Sequence, residues 1–197
     1  MRLRYSPTSP FVRKVRIASN ILGLDERIEL TPADTMNPND PLLGVHPLGR
    51  VPALELEDGT TIVDSRVICD HLNSLAGGTL VPADPLGRAR EHSATCIADG
   101  ICEASLLMRY EAMFHEAAQA SPRWLDHQAA KVTRALAFFE GAPPQGPVTL
   151  SHIALACALG YRDFRFEGAW RASHPKLVAW LDDFAAKTPA FAATSPP

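Results

Sequence analysis

An α/β half followed by an all-helical half is the architecture that this 197-residue sequence predicts. Residues 1–75 alternate short β-type runs with two amphipathic helical runs. The stretch "AGGTLVPADPLGR" (76–88) then interrupts all periodicity with Gly and Pro, as a linker does. Beyond it the chain is helix-patterned almost throughout.

Each element has its own reason. "LRY" (Leu3–Tyr5) is a short strand. Ser9 is placed as an N-cap and Pro10 as the first helical residue. Phe11, Val15, Ala18 and Leu22 fall on one helical face, and Gly23 stands where that helix should end. "RIEL" (Arg27–Leu30) alternates like a strand and precedes a Pro/Asn-rich loop. "VPALELEDGTTIVD" reads as two strands joined at Asp58-Gly59, a strong hairpin signal. "SRVICDHLNSL" returns to helical spacing with Ile68, Leu72 and Leu75 on one side. The order is β-α-β, an irregular linker with room for one short helix, then β-β-α. A crossover helix makes the first two strands parallel, and the hairpin adds an antiparallel pair. The result is a small mixed sheet with helices against it.

Residues 1–77 form this first domain, 78–85 the linker and 86–197 the helical domain. Residues 86–119 contain no proline and, beyond Gly87 at the very start, only Gly100 as a weak point, enough for one bent helix of about 50 Å. "SPRWLDHQAAKVTRALAFFE" carries a buried stripe of Leu125, Ala129, Val132, Leu136 and Phe139. "GAPPQGPV" breaks the chain, and "TLSHIALACALGYRDF" is apolar nearly all round, the pattern of a bundle's central helix. "HPKLVAWLDDFAAKTPAF" supplies the last helix.

Composition excludes several classes of function. Hydrophobic residues at 46% and charged residues at 21% are ordinary globular values. A net charge of −3 argues against nucleic acid as a partner. No apolar stretch is long enough to span a membrane, and the N-terminus lacks the apolar core of a signal peptide. Cys69, Cys96, Cys102 and Cys157 show neither CxxC spacing nor a disulfide framework, so reduced, buried thiols in the cytoplasm are expected. Cys69, Asp70 and His71 would face different ways on a helix, and no metal site is expected.

"RYSPTSPFVRKVR" raises the question of chemistry. Ser121-Pro122 repeats the local pattern of Ser9-Pro10 before another helix, so serine before proline signals no more than a cap. Arg13 and Lys14 either lend positive potential to that helix start or form a solvated face.

Taken together, "SPTSPFVRKVR", "HPLGRVPAL" and the Asp64-Ser65 step resemble the N-terminal domain of the cytosolic glutathione S-transferases. The helical half resembles their C-terminal domain, so the likeness covers essentially the whole chain. It implies a thioredoxin-like domain followed by a helical bundle, and a homodimer. It implies glutathione as co-substrate, with no metal, and a small hydrophobic electrophile as second substrate. The thiol-activating role falls on Ser9, with Thr8 as the neighbour able to replace it. Serine, unlike cysteine, forms no mixed disulfide, which favours conjugation over thiol transfer. Val51-Pro52 is implied to be cis, leaving the Val51 backbone to clamp the cysteinyl part of glutathione; without the resemblance, a trans proline opening a strand suffices. Arg50 is implied to meet the glycyl carboxylate. Ser65 would hold the γ-glutamyl carboxylate and Asp64 its ammonium, although the pair is also ordinary capping chemistry. Leu107, Met108, Tyr110, Met113 and Phe114 are candidates to line the electrophile site. One departure stands out: relatives carry Asp where this chain has His152, three residues after Thr149. A weaker cap is expected there, with His152→Asp raising the melting temperature. A glutathione-dependent isomerase, dehalogenase or peroxidase, and a non-catalytic binding protein, remain the alternatives.

Overall fold

Four short strands pair in the order β2-β1-β3-β4. They are β1 (Arg2–Tyr5), β2 (Glu29–Pro32), β3 (Ala53–Glu55) and β4 (Thr61–Ile62). In this computed structural model, which describes every residue except Ala117, β1 and β2 are parallel and the other pairs antiparallel. The mixed sheet is therefore the one that the element order predicts. β2 begins two residues later than "RIEL" suggests, because Asp25–Arg27 is a 3-10 turn. Pairing of Leu3 with Leu30 then sets Pro32 opposite Tyr5 on an edge strand, where a missing N–H is tolerated.

The helices are α1 (Pro10–Ile21), α2 (Leu42–Val45), α3 (Ser65–Leu75), α4 (Pro85–Phe114), α5 (Pro122–Gly141), α6 (Leu150–Phe166), α7 (Pro175–Lys187) and α8 (Pro189–Ala193). At the end of α1, Gly23 adopts φ 67° while Leu24 N–H reaches Ser19 O at 2.8 Å and Gly23 N–H reaches Asn20 O at 3.0 Å. Those paired bonds are a Schellman end, which explains why glycine stands there. In α3, Ile68 and Leu72 are buried but Leu75 is exposed, as the last residue of the helix.

The expected face of α1 is too narrow. Val15 and Ala18 are buried, but so are Val12, Ile17, Arg13 and Lys14. The helix is sandwiched between α3 on one side and α6 and α8 on the other, so of the two alternatives for Arg13 and Lys14 the solvated face does not exist.

The helical half is led by α4 and α5, with α6 buried from Leu150 to Tyr161 as its apolar sequence predicts. The helix read over 86–119 stops at Phe114, and Ala117 within that range lies outside the described residues. Its partner α5 packs closely on it. In α5, Val132, Leu136 and Phe139 are buried, with Gln128 an unforeseen polar member, while Leu125 and Ala129 are half-buried. Leu80 and Val81 are buried in the inter-domain stretch; Leu80 N–H meets Asn73 Oδ1 at 2.8 Å and Leu80 O accepts from Leu150 N–H at 2.9 Å. One hydrophobic cluster runs from Leu3 through Ala190, so the halves share a core.

The cap of α6 also differs from expectation. Thr149 N–H reaches His152 Nδ1 at 3.3 Å, and the Thr149 hydroxyl lies 2.7 Å from the same nitrogen. A neutral imidazole thus supplies the acceptor that the resemblance assigns to Asp, and the weaker-cap expectation loses its physical ground.

Candidate functional site

Strand register gathers the sequence candidates. Arg4 pairs with Ala53, so the loop leaving β1 toward Ser9 lies beside Val51 and Pro52. Leu54 pairs with Ile62, which carries Asp64 and Ser65 to the same end of the sheet. Helices α1 and α3 both begin there.

Ser9 is the N-cap of α1, and its Oγ accepts from Val12 N–H at 3.3 Å. The long bond leaves the hydroxyl proton free to donate elsewhere. Among the described residues Phe11 N–H has no acceptor and Pro10 has no N–H, so the helix start presents an unpaired donor. A small pocket here is lined by Thr8, Ser9, Arg13, Gly160 and Tyr161, among others. A separate groove of about 520 Å³, between the α5–α6 loop and α7, includes none of the sheet-edge candidates in its lining.

The peptide bond from Val51 to Pro52 is cis. Among the described residues, the N–H and C=O of Val51 have no hydrogen-bond partner. Arg50 is exposed, and its charge together with burial depresses the pKa of nearby His46, burial acting more strongly.

Asp64 caps α3, its Oδ1 accepting from Arg66 N–H at 2.8 Å. Burial pushes its pKa up, but hydrogen bonds and charge from Arg66 outweigh that and hold the carboxyl below its usual range. Arg66 Nη2 lies 2.7 Å from Asp64 Oδ2. Ser65 is buried, and its hydroxyl has no protein partner among the described residues.

Behind these residues runs a charge network that sequence reasoning missed. Lys14 Nζ makes two bonds to Asp99, at 2.6 and 2.8 Å, and both side chains are almost fully buried. Arg66 Nε stands 3.8 Å from the same carboxylate, linking it to Asp64. Burial raises the pKa of Asp99, and Lys14 pulls it back. The available signal was Asp99 itself, a lone carboxylate on the otherwise uncharged face of Thr95, Ala98, Cys102 and Ser105. Arg13 likewise serves packing, its Nη2 donating to Phe191 O at 2.6 Å with its guanidinium stacked 3.9 Å over the Phe191 ring.

Of the cysteines, Cys69, Cys102 and Cys157 are buried as expected, and burial pushes Cys69 and Cys157 up to about 12. Cys96 is exposed instead, with Arg66 Nη1 donating to its Sγ at 3.2 Å.

Residues 8–75 match the glutathione S-transferase N-terminal domain family, and residues 122–183 match the C-terminal domain family. The chain belongs to the glutathione S-transferase family. It is 34% identical to the GST-like protein YibF of Escherichia coli K12, over all of this chain and 99% of that one. A glutathione transferase family member from Pseudomonas fluorescens Pf-5, solved with bound glutathione, is 38% identical with a TM-score of 0.93, covering 100% of this chain and 98% of that one. The same source's structure with bound S-(propanoic acid)-glutathione gives a TM-score of 0.90 at 38% identity, covering 100% of both chains. The four-stranded sheet followed by helices is accordingly the thioredoxin-like domain and helical domain of this family. Among the described residues no helix is long and apolar enough to cross a membrane.

Proposed function

We propose that the protein is a glutathione transferase that binds glutathione along the sheet edge and activates its thiol for attack on a small electrophile. The observation that carries this reading is the register that sets Ser9, Val51-Pro52 and Asp64-Ser65 side by side. Glutathione in the Pseudomonas fluorescens relative supports it.

A free thiol has a pKa of about 8.5, leaving only a few per cent thiolate at pH 7. Lowering it by two units takes about 2.7 kcal/mol. A helix N-terminus contributes roughly 0.3–2 kcal/mol to a nearby anion. A hydroxyl bond to that anion adds about 1.5–3 kcal/mol, less for soft sulfur. The Ser9 hydroxyl donates a hydrogen bond to the thiolate while its Oγ still accepts from Val12 N–H. The unpaired backbone groups of Val51 pair with the cysteinyl unit in strand fashion. The Ser65 hydroxyl and the start of α3 take the γ-glutamyl carboxylate, while Asp64 takes the ammonium, shared with Arg66. Arg50 meets the glycyl carboxylate. The reading extends to a homodimer, for which exposed Leu48, Val67 and Leu86 are apolar surface that a second copy would cover.

Titration calorimetry with glutathione tests the binding. Asp64→Ala and Ser65→Ala should each weaken affinity by about tenfold. Ser9→Ala should keep affinity but raise the bound thiol's pKa by about one unit. No heat of association at millimolar glutathione would discard the reading. Product accounting separates a transferase, which consumes glutathione, from an isomerase, which regenerates it.

A further inference from the structure

We propose that the electrophile carries a carboxylate, received by Arg109 of α4 and Arg165 of α6. The inference rests on the glutathione reading and adds the chemical class of the second substrate. Tyr161 lines the pocket beside Ser9 together with Cys157 and Gly160 of the same helix. Arg165 follows it by four residues, one helical turn further along the same face. The facing stretch of α4 brings Cys102 and, seven residues on, Arg109, and α4 and α6 pack along much of their lengths. Charges of Arg165 and Arg109 both act on the Tyr161 hydroxyl, although burial is the stronger influence on it and raises its pKa.

The cluster lacks compensating acid. Among the described residues, Arg109, Arg162 and Arg165 form no ion pair. Of the carboxylates nearest in sequence, Asp163 binds Arg171 and the Trp170 indole, Glu111 accepts from Ser121 N–H beside His115, and exposed Glu167 forms no ion pair with Arg165. Arg162 instead turns its Nη1 to Ser105 Oγ at 3.4 Å on α4. The Arg165 guanidinium stacks 3.9 Å over the Phe164 ring, and Arg162 stacks 3.7 Å over Phe166. Arg165 is half-buried and held by its stacking, and Arg109 is half-buried and likewise without an ion-pair partner among the described residues. Both suit a carboxylate ligand, which guanidinium groups bind through paired N–H donors. A neutral hydrophobic electrophile would leave that charge unanswered. Independently, the Pseudomonas fluorescens relative has been solved with a glutathione whose sulfur substituent is a propanoic acid.

Calorimetry with S-(2-carboxyethyl)glutathione and S-propylglutathione isolates the carboxylate, since the two differ at the end of the sulfur substituent. The acid should bind about tenfold tighter, and the preference should shrink as salt is added. Arg165→Gln and, separately, Arg109→Gln should reduce the preference severalfold, with Arg165→Lys recovering part of it. Equal affinity of the two conjugates, or a preference unmoved in both Gln variants, would overturn the proposal. Glutathione itself, titrated in parallel, tests the underlying reading: if it binds while the conjugates do not differ, only the carboxylate proposal fails.

Discussion

At the residue scale, His152 decides how α6 begins. Its Nδ1 accepts from Thr149 N–H at 3.3 Å, with the Thr149 hydroxyl 2.7 Å away, so the cap needs that nitrogen unprotonated. Burial pushes the ring's pKa below its usual 6.5, and the charge of Glu91 acts the other way more weakly. The unfolded chain therefore takes up the proton first. Stability from this group is complete above about pH 6.5 and is lost as pH falls through the lower folded value. Scanning calorimetry from pH 7 to 5 should show a steeper decline in melting temperature for the native chain than for His152→Gln, whose amide oxygen caps without titrating. Parallel profiles would remove His152 as the cause. Ser9 and Ser121 teach the complementary lesson. Both accept from the N–H of the third residue of their helix at 3.3 Å, so local sequence cannot separate them. What differs is the setting: Ser121 is exposed, whereas Ser9 sits in a pocket with Tyr161.

At the scale of elements, α1 is held on two sides, and its contact with α6 depends on a missing side chain. A Cβ on Gly160 would stand 2.6 Å from Arg13 Nη1. That guanidinium is pinned by Phe191 O and stacked on the Phe191 ring, so it cannot easily swing away. Gly160→Ala should therefore destabilise by about 1–3 kcal/mol through overpacking, although Ala normally favours a helix. Urea unfolding measures this, and a neutral or stabilising effect would show that Arg13 has room to move. The amphipathic count in α1 misjudged Arg13 and Lys14 because a helix covered by two layers buries residues beyond one stripe. Periodicity served α6 better, since an all-apolar helix leaves no face to choose.

At the scale of the whole molecule, Lys14 and Asp99 join the two halves. Lys14 lies on α1 and Asp99 on α4, and neither has access to water beyond a few per cent. Removing one partner by Lys14→Met or Asp99→Asn should cost about 3–5 kcal/mol, because the other charge stays buried alone. The double variant Lys14→Met, Asp99→Leu should recover most of that loss in the same urea titration. Additive losses would show that the pair itself, not the stranded charge, carries the energy.

The sequence by itself determined the element order of the first half, the mixed sheet, the capped starts of α1, α3 and α5 and the buried α6. The single last helix expected from "HPKLVAWLDDFAAKTPAF" is two, α7 and α8, broken at Thr188-Pro189 because proline supplies no N–H to continue the first. The features read correctly are local: hydrophobic period, turn chemistry and capping act over a few residues, and "DGTTIVDS" or "SPFVRKV" contains what is needed to read them. Only the tertiary structure decided the rest. It set Ser9, Val51 and Asp64 at one sheet edge by strand register, tied Lys14 to a carboxylate 85 residues away, and turned a histidine into a helix cap. It also packed α4 on α6 so that Arg162 reaches Ser105, which puts the stretches carrying Arg109 and Arg165 on facing helices. Burial and charge pairing depend on which distant side chains share a space, and no window along the chain encodes that.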